Sequence, residues 1–298
     1  MKTPEGILPA LVTPMDKEGT LLPESFRTII DYTLEGGVHG LFVLGSTGEA
    51  YAVNLEEKRR VMECAIEHNN GRVPMYIGVG GVTTRDTVQL AQTAEAAGAD
   101  AISVLTPYFI TPSYDELKEH FLTTASSVKI PVLLYNNVGR TNVDIPPRMI
   151  EELSSVDNLV GIKDSSGDMT KMAEYIRLTR GQEFSVFCGR DTLILANLMY
   201  GGKGAVAATA GFAPELAVGI YNAFMEGDYD TARNRQLKLT PLRLAFSLAS
   251  FPALMKEALN LIGFDAGVTL APIGEMTESN RHILIELLKD AGLYQKYA

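Results

Sequence analysis

The chain has 298 residues, enough for one barrel-sized domain with an appendage or for two ordinary domains. Its 26 basic and 36 acidic side chains give a net charge of −10, which argues against a nucleic-acid binder or a polybasic membrane-surface protein. With 46% apolar and 21% charged residues, the chain can bury a large core and is not a disordered segment.

One pattern recurs along the chain. A short apolar run ends in small or polar residues, and a longer helix-like stretch follows. The runs are Ile7–Val12, Gly40–Leu44, Pro74–Gly78, Ala101–Leu105, Pro131–Tyr135, Leu159–Lys163, Phe184–Cys188 and Gly204–Ala207. They are apolar on consecutive positions, as strands buried on both faces of a parallel sheet must be. Between them, Leu55–His68 has helical spacing with Asn54 as its cap, and Thr83–Ala97 stops at Gly98. Ser113 and Glu116 have the spacing of a capping box before Tyr114–Ser127. Pro146-Pro147 opens a helix running to Ser154, and Thr170–Thr179 and Glu215–Phe224 complete the alternation.

Alternating strands and helices with short connections predict right-handed crossovers and a parallel sheet. Eight strand candidates predict an α/β fold, a (β/α)8 TIM barrel, spanning 1–225. Residues 226–298 contain no strand-like run. Tyr229–Leu248, Phe251–Leu261 and Glu278–Ala291 are predicted helices there, forming a C-terminal helical appendage. An open doubly wound sheet is the rival, but no strand leads into a GxGxxG turn with an acidic residue about twenty positions on.

Cys64 and Cys188 stand far apart, with no CxxC, Cys/His cluster or HExxH in the sequence. Two buried small hydrophobes are expected, and neither a disulfide framework nor a metal site. The stretch from Met1 to Gly6 lacks the apolar run of a signal peptide, and no run reaches the roughly 18 residues of a membrane span. A soluble, cytoplasmic protein is the expectation.

In a parallel barrel the reactive residues sit at the C-terminal ends of the strands. Lys163 ends the sixth run after Leu159-Val160-Gly161-Ile162, which carries no polar side chain. A lysine there either points into a desolvated site or pairs with Asp164 or another carboxylate. Desolvation favours the free amine, which is a Schiff-base nucleophile toward carbonyl substrates. Tyr135 ends the adjacent run. It is either a packed aromatic or a phenol placed to carry protons for imine chemistry. Ser46 and Thr47 lie between Gly45 and Gly48 at the end of the second run. They either cap a tight turn or hold a carboxylate with hydroxyls and backbone N–H groups. Arg140 follows Tyr135 and is either a loop brace or a cation for an anionic substrate. Gly78-Val79-Gly80-Gly81 and Gly201-Gly202-Lys203-Gly204 fail the GxxxxGK[ST] pattern and read as turns. None of the four histidines ends a strand, and no GxSxG elbow is present, so a serine-hydrolase triad has little support.

Three stretches, Gly45-Ser46-Thr47-Gly48-Glu49, Tyr135-Asn136 with Gly139-Arg140-Thr141, and Gly161-Ile162-Lys163-Asp164, resemble signatures of the dihydrodipicolinate synthase / N-acetylneuraminate lyase family. The resemblance extends over essentially the whole chain, including Thr13-Pro14 and Thr106-Pro107-Tyr108. It implies a class I aldolase or lyase on a (β/α)8 barrel, usually a homotetramer, that acts on pyruvate or a 2-oxo acid plus an aldehyde. It implies no metal and no organic cofactor. By the same resemblance Lys163 is the Schiff-base lysine, Tyr135 the proton-shuttling phenol, and Ser46 and Thr47 the hydroxyl pair that relays a proton and holds the pyruvate carboxylate. Gly189 and Val206 match positions that line the pyruvate site through backbone atoms. Arg140 in Gly-Arg-Thr resembles the synthase branch, where it binds the carboxylate of aspartate semialdehyde. Phe109 stands where the synthase has a second tyrosine, Ser46-Thr47 where it has two threonines, and Asn137-Val138 where it has Val-Pro. The expectation is a synthase-type lyase. The alternatives are an aldolase releasing pyruvate from a 2-keto-3-deoxy sugar acid or sialic acid, and a non-catalytic barrel that binds 2-oxo acids.

Overall fold

The computed structural model describes residues 4–294. Met1, Lys2 and Thr3 of the N-terminal stretch, and 295–298 of the helical tail, lie outside them. The strands are β1 (Gly6–Pro9), β2 (Leu41–Val43), β3 (Met75–Val79), β4 (Ala101–Leu105), β5 (Val132–Asn136), β6 (Leu159–Asp164), β7 (Ser185–Cys188) and β8 (Gly204–Ala207). All pair in parallel, in the order β1-β8-β7-β6-β5-β4-β3-β2. A parallel bridge between Ala10 and Phe42 joins the two ends and closes the barrel. The expected (β/α)8 TIM barrel is therefore the observed fold, with each strand overlapping its predicted run.

The helices are α1 (Pro23–Glu35), α2 (Leu55–Asn69), α3 (Thr84–Ala97), α4 (Tyr114–Ser126), α5 (Val138–Thr141), α6 (Pro147–Leu153), α7 (Met169–Leu178), α8 (Ile194–Tyr200), α9 (Pro214–Met225), α10 (Tyr229–Leu244), α11 (Ala253–Leu261) and α12 (Glu278–Asp290). The predicted caps form. Asn54 accepts from the Glu57 N–H, Ser113 and Glu116 make the reciprocal capping box, and Gly98 ends α3 in the left-handed region. Three elements differ from expectation. Helices α1 and α8 had no predicted counterpart, and Arg140 lies in the single turn of α5 rather than on a loop.

Consecutive apolar residues on each strand serve two cores. The barrel interior is filled by Leu8, Ala10, Phe42, Tyr76, Ala101, Leu133, Val160, Phe187 and Val206. Their outward-facing neighbours, such as Ile7, Val43, Ile77, Ile162 and Val186, pack beneath the surrounding helices.

One irregularity aims Lys163. Val132 pairs with Leu159, but the next residue, Leu133, pairs with Gly161, so Val160 is an extra residue in β6. Leu159 and Ile162 face the outer core, while Val160 faces the interior. Uninterrupted alternation over the four steps from Leu159 would place Lys163 on the same face as Leu159. The bulge reverses that and brings Lys163 level with Tyr135 of β5 and Phe187 of β7.

The C-terminal helices are fixed to the barrel by a buried ion pair. Lys256 Nζ of α11 lies 2.6 Å from Glu49 Oε1, on the turn after β2, with both side chains almost wholly buried. Lys256 also donates to the Val268 carbonyl, and Glu49 Oε2 accepts from the Leu270 N–H at 3.1 Å. Burial holds the Lys256 ammonium below its ordinary value, with Glu49 acting against that shift. Removing one partner leaves the other charge buried and alone. Lys256→Met is expected to lower stability by about 3–5 kcal/mol in a denaturant titration. A midpoint equal to the parent's would show that Glu49 needs no partner.

Candidate active site

The C-terminal ends of the strands surround a cavity of about 490 Å³. Lys163, Tyr135, Ser46, Thr47, Arg140, Gly189 and Val206 all line it, so every site residue named from the sequence meets in one place. A larger cleft of about 870 Å³ opens between α7 and α8 and contains none of them.

Lys163 enters the cavity from β6 and is only 4% exposed. Its Nζ lies 4.0 Å from the ring centre of Tyr135 and 4.4 Å from that of Phe42. Asp164, the neighbouring carboxylate, points to the other face. It accepts from Asn136 Nδ2 at 2.7 Å and from the Ser166 N–H at 2.9 Å. The Lys163 nitrogen thus faces two aromatic rings rather than a carboxylate.

Tyr135 is buried beside it, held across the sheet by the register of β5 and β6. Burial alone would raise its phenol. The Lys163 charge and hydrogen bonds with Ser165, Ser46 and Lys163 outweigh burial and hold it below the ordinary phenol value. Asn137 Nδ2 donates a further bond to the Tyr135 oxygen at 2.9 Å. The phenol oxygen is thereby linked to the Ser46 hydroxyl at one side of the cavity and to Lys163 at the other.

The turn after β2 carries Ser46 and Thr47 and is braced from the segment that follows β1, where Thr13 Oγ1 donates to the Gly48 carbonyl at 2.7 Å. Thr47 is buried within it. Gly189, at the end of β7, is required by space, since a Cβ there would lie 2.1 Å from Ser165 Oγ. Val206 presents its side chain to the barrel interior. Arg140 stacks on Phe251, with 4.8 Å from guanidinium carbon to ring centre.

Several lining residues were given no role by the sequence. Ser165, Arg190 and Asp191 stand at strand ends, but nothing beyond that position marked them. Phe246, Phe251 and Arg243 arrive from the C-terminal region, more than a hundred residues from Tyr135 in the chain. Phe109 does not enter the cavity and is 89% exposed. Tyr108, beside it, shares a crevice with Ser46, Tyr51 and Tyr135. Among the described residues, no group of three or more His, Cys, Asp or Glu is placed to hold a metal ion.

The sequence pattern of the "Dihydrodipicolinate synthetase family" matches residues 3–291. A protein of Methanoculleus marisnigri named 4-hydroxy-tetrahydrodipicolinate synthase is 38% identical over 290 residues, covering 97% of this chain and 99% of its own. The crystal structure of YagE from E. coli K12, a prophage protein of the dihydrodipicolinic acid synthase family in complex with pyruvate, superposes with a TM-score of 0.94 at 34% identity, covering 97% of this chain and 99% of that one. Dihydrodipicolinate synthase from Thermotoga maritima also superposes with a TM-score of 0.94, at 32% identity and 98% and 99% coverage. Closed barrel, whole-length sequence match and whole-length superposition agree: the chain is a lyase of the aldolase type and belongs to the dihydrodipicolinate synthetase family.

Proposed function

We propose that this enzyme joins pyruvate to an aldehyde, or runs that reaction backwards, through an imine on Lys163. The observation that carries the reading is a buried lysine amine that faces a hydrogen-bonded phenol and no carboxylate. The neutral amine adds to the C2 carbonyl of pyruvate. One proton from the added nitrogen and one from Tyr135 go to the resulting oxygen, which leaves as water and gives the iminium. The Tyr135 phenolate takes back a proton from the methyl carbon, which makes the enamine. Its carbon bonds to the aldehyde carbon, whose oxygen takes a proton, and water then hydrolyses the iminium and frees Lys163. Ser46 relays protons to Tyr135. Thr47 and nearby N–H groups hold the pyruvate carboxylate, and Gly189 and Val206 line its site with backbone. The imine is made by the chain and the substrate alone, so no cofactor is assigned.

The test is reduction with borohydride in the presence of pyruvate, followed by peptide mass mapping. One reduced pyruvate on Lys163 is expected. An adduct on another lysine, or none, overturns the assignment.

A synthase-type condensation with aspartate semialdehyde is the reading we favour, with Arg140 holding the aldehyde's carboxylate. Arg140→Ala is expected to raise the aldehyde KM about ten- to a hundredfold, the scale of a charge-assisted bond, and to leave pyruvate trapping intact. Equal KM values would remove Arg140 from aldehyde binding. Cleavage of a 2-keto-3-deoxy sugar acid is the second reading, favoured by Phe109, which brings no hydroxyl to the proton path.

The barrel of 1–225 and the helical region of 226–298 act together as one catalytic unit, since Arg243 and Phe251 complete the cavity. We assign the working form as a homotetramer in the cytoplasm. Phe109 and Ile110 leave adjacent apolar side chains in solvent, the kind of surface a second copy covers. No helix among the described residues is long and apolar enough to cross a membrane.

A further inference from the structure

One layer below Tyr135 the barrel interior carries a hydroxyl with no partner. Ala101 of β4 faces the interior, and Ile102 and Val104 face the outer core, so alternation turns Ser103 inward. Ser103 is wholly buried, and its Oγ has no hydrogen-bond partner among the described residues. Other buried hydroxyls are matched. Thr13 donates to the Gly48 carbonyl, Ser185 to that of Pro4 and Thr179 to that of Tyr175. A serine in a strand, unlike one in a helix, has no carbonyl one turn back to accept its proton. An unpaired hydroxyl away from bulk water is costly, so it marks a place for a bound polar molecule.

Ser103 lines a crevice of about 50 Å³, room for a water molecule. No side chain enters it from the facing position of β3, because Gly78 stands opposite Ser103. A Cβ on Gly78 would lie 2.4 Å from the Leu44 carbonyl oxygen. Ser46 and Tyr135 line both this crevice and the catalytic cavity. The lining also includes Tyr108, half-buried, and Tyr51, 53% exposed, so the crevice runs from the interior layer toward the surface. Phe109, which follows Tyr108, offers no hydroxyl and stands out in solvent.

We propose that Ser103 is a positioning residue for proton transfer. It fixes a water molecule in the crevice, and that water connects Ser46, and through it Tyr135, with bulk solvent. This rests on the Schiff-base reading of Lys163 and deepens it. After Tyr135 has taken a methyl proton from the iminium, its phenol passes that proton to Ser46 Oγ. Ser46 passes its own to the water, and the water passes one outward past Tyr108 and Tyr51. Each intermediate oxygen gives one proton as it takes one, and entry of a solvent proton by the reverse route restores the phenol.

Exchange of the pyruvate methyl protons in deuterium oxide, followed by NMR with no aldehyde present, reads this route. Enamine formation places a methyl proton on Tyr135, and only a proton swapped with solvent returns as deuterium. Ser103→Ala is expected to slow deuterium wash-in by about three- to tenfold, the scale of one lost hydrogen bond. Pyruvate KM and borohydride trapping on Lys163 should match the parent's. Ser103→Thr keeps the hydroxyl and is expected to exchange at the parent's rate. Denaturant titration gives a second readout. A hydroxyl that holds a water stabilises the fold, so the midpoint of Ser103→Ala should fall, whereas loss of a hydroxyl that bonds to nothing would raise it. Unchanged exchange in Ser103→Ala, an equal loss in Ser103→Thr, or a raised midpoint overturns the proposal. With Lys163 labelled in the parent, any of these overturns the relay alone. An unlabelled Lys163 in the parent overturns the Schiff-base reading and the relay with it.

Discussion

Lys163→Arg is expected to abolish turnover, on the order of 10⁵–10⁶-fold, the scale at which removing a covalent nucleophile is felt. The guanidinium stays protonated at every working pH and has no lone pair to attack a carbonyl. Arginine keeps the positive charge and much of the shape, so the loss isolates nucleophilicity from electrostatics. Because the side chain sits between Phe42 and Tyr135, the added bulk also strains the cavity, and Lys163→Met serves as the smaller companion. Both variants should keep the parent's circular dichroism, show no pyruvate adduct after borohydride, and give no product. Product formation above background by either variant would place the covalent step elsewhere.

Tyr135→Phe has the second largest expected effect, a fall in kcat of about 10²–10⁴-fold, the usual worth of positioned general acid–base catalysis. The ring that packs on Lys163 remains, so the amine keeps its surroundings and trapping of pyruvate should persist at a reduced rate. The pH profile adds a separate readout. A phenol held below its ordinary value loses its proton as pH rises through that lowered value. Activity dependent on the protonated phenol therefore falls on the alkaline side, before the pH of about 10 at which a free tyrosine ionises. That limb should vanish in Tyr135→Phe. A loss smaller than tenfold would assign the proton transfers to another group. Asn137→Leu is a gentler probe of the same oxygen. Removing the donated bond destabilises the phenolate, so the alkaline limb is expected to move upward.

The barrel was legible because the strands are apolar at nearly every consecutive position, with Ser103 and Ser185 the interior exceptions among the predicted runs, a pattern that burial on both faces explains. The helices that escaped notice have the weakest local signals. Helix α1 begins at Pro23 with no side-chain cap, and α8 is seven residues of mostly apolar sequence, also uncapped. The turn of α5 is too short for any periodicity to register. In the site, residues at strand ends could be read off because the barrel places all such ends on one rim. The bulge that turns Lys163 inward could not, since Val160 looks like any other strand residue. Nor could Arg243, Phe246 and Phe251, whose approach to the rim depends on how the C-terminal helices dock. The ion pair of Glu49 with Lys256 shows that docking most clearly, because neither residue's neighbours in sequence mark it as paired.

That ion pair also sets an order of events during synthesis. Glu49 leaves the ribosome well before its two partners, and the Leu270 N–H that it accepts from is 221 residues further along. Until those partners emerge, the turn bearing Ser46 and Thr47 is anchored to a carboxylate that cannot be buried without large expense. A nascent chain holding all eight strands therefore still keeps this turn hydrated and its rim unfinished. The growing polypeptide can finish this rim only once Lys256 and Leu270 have emerged.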